Sequence, residues 1–327
     1  MPEQIKALPP ADLTASLEGL GRNEWRARLA GIARARGAFR ELGGDHFAAY
    51  VAGGETLLVT FETQAGIQGL TEEGQPMGWR MVREEGWSHL CIVSEGDTWF
   101  RDAAVYEYVD ELIDEGFFEA FEQVLFFGAG PCAYAACAFS VAAPGALVLA
   151  IQPQATLNPE LTEWDERFRE MRRLDFTSRY GYAPDMLDAC AHAWVLYDPV
   201  ERLDAMHAAL FARPNVTLLR LRHMGAALQG SLLRMGMLHT LLRLASQERL
   251  EPRVFATLYR RRRRYPPYLR NLLSSLEAEG REVLIQALCR NVTSRMNLPR
   301  FRRRLQDAAG RSIPDGAPMR RAMDQLD

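Results

Sequence analysis

The stretch Val124-Leu-Phe-Phe-Gly-Ala-Gly-Pro-Cys-Ala-Tyr-Ala-Ala136 decides the fold class of this 327-residue chain. Four large apolar residues, Val124–Phe127, are followed by the short run Gly128–Pro131. A second apolar segment, in which most residues are small, begins directly after it at Cys132. This pattern predicts a buried strand, a tight turn that begins at Gly128, and a buried helix. Two chemistries use such a turn: a phosphate cradle at a helix N-terminus, and a nucleophile elbow, in which a sharp strand-to-helix turn exposes a reactive side chain.

Similar apolar runs occur on both sides of this stretch and alternate with helical patterns. The predicted strands are 56–61, 88–93, 124–127, 146–151, 193–197 and 216–221, with a Gly-rich loop after the first. The predicted helices are 103–120, 131–142, 161–174, 201–212 and 229–246. Continuous apolar strands that alternate with helices predict an α/β fold with a doubly wound, mostly parallel sheet. In such sheets ligands bind at the carboxyl ends of the strands.

The two ends of the chain are predicted to be helical additions to this sheet. Residues 11–50 show apolar positions near helical spacing, with Asp12 or Thr14 as a possible cap. Residues 248–310 look entirely helical, with a break at Pro266–Pro267. We therefore expect an N-terminal helical segment (1–54), an α/β domain (55–247) and a basic helical extension (248–327).

The run Gly128-Ala-Gly-Pro-Cys-Ala-Tyr-Ala-Ala136 resembles the G-x-S-x-G-G-Y-A-A elbow of a bacterial group of α/β-hydrolase-fold proteins. In that group a Pro-Gln dipeptide follows the next strand, as Pro153–Gln154 does here. A Tyr-Asp-Pro motif with a second aspartate then precedes a histidine, similar to Tyr197-Asp198-Pro199, Asp204 and His223. The resemblance covers about residues 55–247. It implies an α/β-hydrolase-like fold with His223 as general base and Asp198 or Asp204 as its acid.

The elbow departs from this family at the reacting position. With the strand end as anchor, Gly130 occupies the nucleophile slot and Cys132 replaces the second glycine. A glycine has no side chain that can attack a carbonyl group, so we predict a degenerate, weakly active or inactive elbow. A register two residues later, Gly130-Pro131-Cys132, instead presents a cysteine at a helix N-terminus, where the pKa of a thiol is lowered.

The loop after the first predicted strand is the other part of the expected site. In the hydrolase fold this loop supplies a backbone N–H to the oxyanion hole, so Glu62 and Thr63 are candidates by position alone.

Three functions remain open from the sequence. The first is an α/β-hydrolase-like protein with a degenerate elbow that binds a small molecule or a partner and has no strong catalytic activity. The second is an active hydrolase or acyl transferase that uses Cys132 as nucleophile, with His223 and an aspartate. The third is a nucleotide- or phosphate-binding enzyme, for instance a sulfonucleotide reductase.

The sequence lacks the motifs that a nucleotide- or phosphate-binding enzyme would require. The turn Gly128-x-Gly130-x-x-Ala133 meets the dinucleotide pattern only loosely, and the next strand ends Ile151-Gln-Pro-Gln154 without the expected carboxylate. The S-G-G-x-D-S-type pyrophosphate loop of a sulfonucleotide reductase is not found in the sequence either.

Composition limits location and partners. We expect no membrane span, no signal peptide and a cytoplasmic location, because apolar runs are short and the first ten residues carry charge. The five cysteines show no CxxC pair or zinc pattern, so we expect reduced thiols, and neither a metal nor a cofactor is predicted.

Charge is divided unevenly along the chain. The net charge is −3, but residues 251–327 contain 17 arginines against 8 acidic residues, including the run Arg260–Arg264. This segment lacks a nucleic-acid motif, so we expect its helices to dock on the acidic part of the chain or on a second subunit.

Overall fold

The computed structural model describes residues 13–71 and 73–309. Asp12, one of the two predicted helix caps, and the first ten residues lie outside this range. The described residues form two compact units: the first holds those up to Arg222 together with Ala226–Tyr259, and the second holds His223–Gly225 and the residues from Arg260 onward.

The first unit is built on one eight-stranded sheet. Its strands are β1 (Gly37–Leu42), β2 (His46–Val51), β3 (Thr56–Thr63), β4 (Ser88–Ser94), β5 (Gln123–Ala129), β6 (Leu147–Ile151), β7 (His192–Tyr197) and β8 (Val216–Arg220). Their spatial order is β1-β2-β4-β3-β5-β6-β7-β8. The pairs β1–β2 and β2–β4 are antiparallel, and every other pair is parallel. The predicted α/β class and the mostly parallel sheet are confirmed.

Helices cover both faces of this sheet. Before β5 the chain forms α1 (Arg22–Arg36), α2 (Gln64–Leu70), α3 (Met77–Glu85) and α4 (Ala103–Asp114). After β5 it forms α5 (Pro131–Phe139), α6 (Pro159–Thr162), α7 (Ala183–Met186), α8 (Arg202–Leu210), α9 (Leu228–Arg234), α10 (Leu238–Ser246) and α11 (Pro252–Tyr259). One buried core includes α4, α5 and α8 on one face, and a second joins α1 and α3 to the other.

In the second unit, the described residues form three helices after a 3₁₀ turn at Arg260–Arg264: α12 (Pro266–Ala278), α13 (Glu282–Thr293) and α14 (Pro299–Ala309). Helix α12 begins at the predicted break, because proline fits the first helical position. Part of the basic charge of the second unit is paired within that unit. Arg304 of α14 contacts Glu277 at 3.2 Å and Glu282 at 2.7 Å. Docking of these helices on an acidic surface or a second subunit stays a prediction.

The N-terminal helix prediction holds only for α1: residues 13–21 are not helical, so Thr14 caps no helix, and residues 37–51 form the β1–β2 hairpin. The hairpin pairs with β4, and this long-range pairing determines the conformation that local apolar spacing did not. Three further predictions are corrected. The Gly-rich loop contains α2 and α3. The 161–174 helix is a short α6 and a 3₁₀ segment kinked at Phe168. The 229–246 helix is divided into α9 and α10 near Gly236, whose φ is +63°.

In the part of the chain that is described, none of the helices has the length and apolar character needed to cross a bilayer.

Candidate active site

The turn between β5 and α5 has the geometry of an elbow. Strand β5 ends at Ala129, Gly130 takes φ 58° and ψ −127°, and α5 starts at Pro131. A Cβ added to Gly130 would meet no described heavy atom within 4 Å. The apex of the turn, which the sequence predicts to be the nucleophile position, therefore faces open space and has a backbone conformation that side chains rarely adopt. The structure therefore shows a sharp strand-to-helix turn whose apex residue, Gly130, has no side chain.

Gly128 allows α5 to approach the strand closely. A Cβ at this position would lie 2.1 Å from the carbonyl oxygen of Cys132 and 2.7 Å from the backbone nitrogen of Ala133. Gly128 thus has the role that small neighbours have in an elbow, which is to let the strand and the first helical turn come together.

Cys132 lies in the first turn of α5 but is only 8% exposed. Burial raises the pKa of its thiol well above the ordinary value, and the nearby Glu62 carboxylate raises it further. The sequence-based expectation of a lowered pKa at this helix N-terminus is therefore wrong, because desolvation outweighs the helix end.

Thiol accessibility tests this environment directly. All five cysteines are buried. We expect Cys132 in the native protein to react with Ellman's reagent at least about tenfold more slowly than free cysteine at the same pH. In guanidinium, which unfolds the protein, all five thiols should react with Ellman's reagent as fast as free cysteine. A fast-reacting native thiol that disappears in Cys132→Ser would contradict this environment.

A cavity of ≈ 250 Å³ lies beside the elbow. Its lining includes the end of β3, part of α2 and the first turns of α3 and α5: Phe61, Glu62, Thr63, Ile67, Met77 and Cys132. The space matches a short acyl group better than a drug-sized ligand.

The two residues predicted at the oxyanion loop have defined structural partners. Both Glu62 carboxylate oxygens accept the Met77 backbone N–H at 3.1 Å, and burial raises the pKa of Glu62. The Thr63 hydroxyl accepts the Gly66 N–H at 2.9 Å and caps α2. An oxyanion role for the backbone of this loop stays a prediction.

The two candidate acids follow β7, and both are buried. Asp198 accepts the Val200 N–H at 2.9 Å in the turn after the strand. Asp204, in the first turn of α8, contacts Arg167 at 2.6 Å and Gln152 at 2.6 Å. Asp204 thus accepts hydrogen bonds from the side chains of Arg167 and Gln152, and the sequence did not predict these partners.

A polar network continues from Asp204 through the partly exposed Arg167 to Asp165 and His207, which are buried. Arg167 contacts Asp165 at 2.8 Å, and Asp165 lies 2.9 Å from Nε2 of His207. Nδ1 of His207 accepts the Ala155 N–H, so the ring proton is on Nε2 and is donated to Asp165. The sequence analysis does not identify Asp165, Arg167 or His207 as members of such a network. No local motif identifies these partners, since Asp165 and His207 are 42 positions apart.

His223 belongs to the second unit, whereas the elbow, Asp198 and Asp204 belong to the first. It has φ 64°, and its carbonyl accepts the Asn271 side-chain N–H at 3.1 Å. Its role as the base that activates Cys132, with Asp198 or Asp204 as the acid that orients it, stays a prediction.

Known proteins resemble this chain in structure but not in sequence, and the similar structures given below cover about 62–63% of it. No protein-family model and no curated protein matches the sequence. Similar solved structures include Est1E from Butyrivibrio proteoclasticus (11% identity, TM-score 0.41, covering 63% of this chain and 97% of that one). Carboxyl esterase 2 from Tuber melanosporum has 12% identity and a TM-score of 0.40, over 62% of this chain and 80% of the esterase.

A third similar structure is the Glycosylation Associate Protein (Gap123) complex from Streptococcus agalactiae, with 12% identity and a TM-score of 0.41. The match covers 63% of this chain and 45% of the streptococcal chain. At these values the similarities convey nothing about substrate or reaction.

Proposed function

We propose that this α/β-hydrolase-like protein is a small-molecule binding protein with a degenerate elbow and no serine-hydrolase activity. The observation that carries the proposal is Gly130 at the apex of the turn, where the family pattern places its nucleophile. The cavity beside this turn supplies a binding space of the size of a short acyl ester.

The cysteine-nucleophile alternative is weaker for a physical reason. Covalent catalysis by Cys132 requires a thiolate, and burial favours the neutral thiol. A short-chain p-nitrophenyl ester assay separates the two functions. We expect wild type, Cys132→Ala and His223→Ala to show equal rates at the level of buffer alone. Turnover by wild type that is lost in both variants would establish the catalytic alternative instead.

The phosphate-binding alternative is disfavoured by the donors at the turn. The Gly130 N–H is already donated to the Ile151 carbonyl at 2.8 Å, and Pro131 has no N–H. A helix N-terminus that binds phosphate needs such groups to be available. A rise in melting temperature with ATP or NAD would support this reading.

Binding is tested with methyl butyrate, a neutral short ester, observed by saturation-transfer NMR. Leu70 borders the cavity and is 38% exposed, so Leu70→Trp narrows the space from its outer side. We expect this variant to raise the dissociation constant about tenfold, which is about 1.4 kcal/mol of binding free energy. Leu161→Trp, at an exposed position outside the cavity lining, is the matched control and should bind like wild type. Equal affinity in wild type and Leu70→Trp, or no binding, would contradict the proposal.

A further inference from the structure

A buried polar cluster lies between β3 and β4, next to the elbow cavity. Thr60 and Glu62 alternate along β3, and His89 and Cys91 alternate along β4. Because side chains at positions i and i+2 of a strand share a face, and Thr60 pairs with Cys91 across the parallel ladder, all four project from the same side of the sheet. Thr60, His89 and Cys91 are 0% exposed and Glu62 is 6% exposed.

Within the described part of the chain, the contacts of this cluster give Glu62 hydrogen-bond donors but no cation, and they leave one ring nitrogen of His89 without a partner. Glu62 accepts hydrogen bonds from Thr60 at 2.7 Å and from Cys91 at 3.3 Å. No ion pair to Glu62 is formed within residues 13–71 and 73–309, so this buried carboxylate lacks a cation there. Nδ1 of His89 has no hydrogen-bond partner, while Nε2 lies 2.8 Å from the Thr60 hydroxyl. A buried carboxylate without a cation and a buried ring nitrogen without a partner are both costly.

We propose that Glu62, His89 and Cys91 bind one divalent transition-metal ion, with zinc as the best match. One carboxylate oxygen, one imidazole nitrogen and one sulfur are the donor types that zinc takes in proteins. The three donor atoms lie within 4.8 Å of one another. At zinc bond lengths, tetrahedral ligand atoms are about 3.3–3.6 Å apart, and Sγ of Cys91 is already 3.3 Å from Oε1 of Glu62.

Two further features suit an ion at this position. The His89 ring is held against α3, because a Cβ on Gly78 would lie 2.2 Å from its Cδ2 atom. Glu62 also borders the elbow cavity, which gives an ion and a water molecule a route to the cluster. The bound cation neutralises the Glu62 carboxylate and the Cys91 thiolate, and the thiol proton is released to solvent on binding.

Metal content of the full-length protein, purified without a polyhistidine tag or chelator, tests the inference. We expect about one equivalent of zinc per chain by inductively coupled plasma mass spectrometry. After removal of zinc with phenanthroline, Co²⁺ should bind at the same stoichiometry and produce a thiolate-to-cobalt charge-transfer band in the near ultraviolet.

Cys91→Ser and Glu62→Gln should lose the zinc and the cobalt band, with circular dichroism as the check on folding. Glu62→Gln provides an independent test where Cys91→Ser does not fold. Cys137→Ala, a buried cysteine of α5 outside the cluster, is the matched control and should keep both. A wild-type protein without zinc that also gives no cobalt band would overturn the proposal, as would full metal content in folded Cys91→Ser or Glu62→Gln. These outcomes do not depend on whether the elbow cavity binds esters.

Discussion

Gly128→Ala is expected to lower the free energy of unfolding by about 3 kcal/mol or more, or to prevent folding. The added Cβ would lie 2.1 Å from the Cys132 carbonyl oxygen and 2.4 Å from its carbonyl carbon. Both atoms belong to the backbone of α5, so no side-chain rotation relieves the clash. The helix must move away from β5, and its fully buried face, including Ala133 and Ala136, would lose its packing. Urea denaturation monitored by circular dichroism measures the change.

Two other glycines serve as controls for this prediction. Gly69 lies on the exposed side of α2 with no atom near its added Cβ, so Gly69→Ala should stabilise the protein by about 0.5–1 kcal/mol. Gly130→Ala meets no clash but must adopt φ +58°, at a cost of about 1–3 kcal/mol. A loss for Gly128→Ala no larger than that for Gly130→Ala would mean that α5 does not approach the strand as closely as described.

The elbow was predictable because its geometry is encoded locally. Apolar strand, small turn and small-residue helix are contiguous, and the glycines mark where backbone approach and positive φ occur. The environment of Cys132 was not predictable in the same way. Its helix position is local information, but its surroundings include Glu62 of β3, which lies 70 positions earlier in the chain. Tertiary desolvation therefore reversed the expected direction of the pKa shift.

The β1–β2 hairpin shows the same limit at the level of the fold. The turn at Gly43–Gly44 and the sequence His46-Phe-Ala-Ala-Tyr-Val51 are compatible with a hairpin, but the preceding helical spacing dominated the prediction. Pairing of β2 with β4 contributes the decisive interaction, and it joins positions more than 35 residues apart. Short segments of ambiguous local preference take their structure from such partners.

Asp165→Asn is expected to lower the free energy of unfolding by about 3 kcal/mol at neutral pH. The Asp165 side chain is fully buried and accepts hydrogen bonds from Arg167 and His207. An asparagine keeps one acceptor oxygen, but its NH₂ group must then face a donor, either the Arg167 guanidinium or the Nε2 proton of His207. The variant thus leaves a buried donor unsatisfied and the Arg167–Asp204 pair without its second carboxylate. Asp185→Asn, which alters an exposed ion pair with Arg213, should change stability by no more than about 0.5 kcal/mol.

The free energy of unfolding measured at acidic pH provides a second test of Asp165→Asn. This test depends on the negative charge of the Asp165 side chain. Burial alone would raise the pKa of Asp165, but hydrogen bonds from His207 and Arg167 outweigh it and hold the pKa well below its usual range. In the unfolded chain the pKa of an aspartate is about 3.9. The stabilisation by Asp165 is therefore complete above that pH and is lost as the pH falls toward the pKa of Asp165 in the folded protein. Wild type should therefore lose more stability than Asp165→Asn between about pH 5 and pH 3. Parallel pH profiles for the two proteins would show that Asp165 does not carry this charge-dependent stabilisation, whatever the size of the loss at neutral pH.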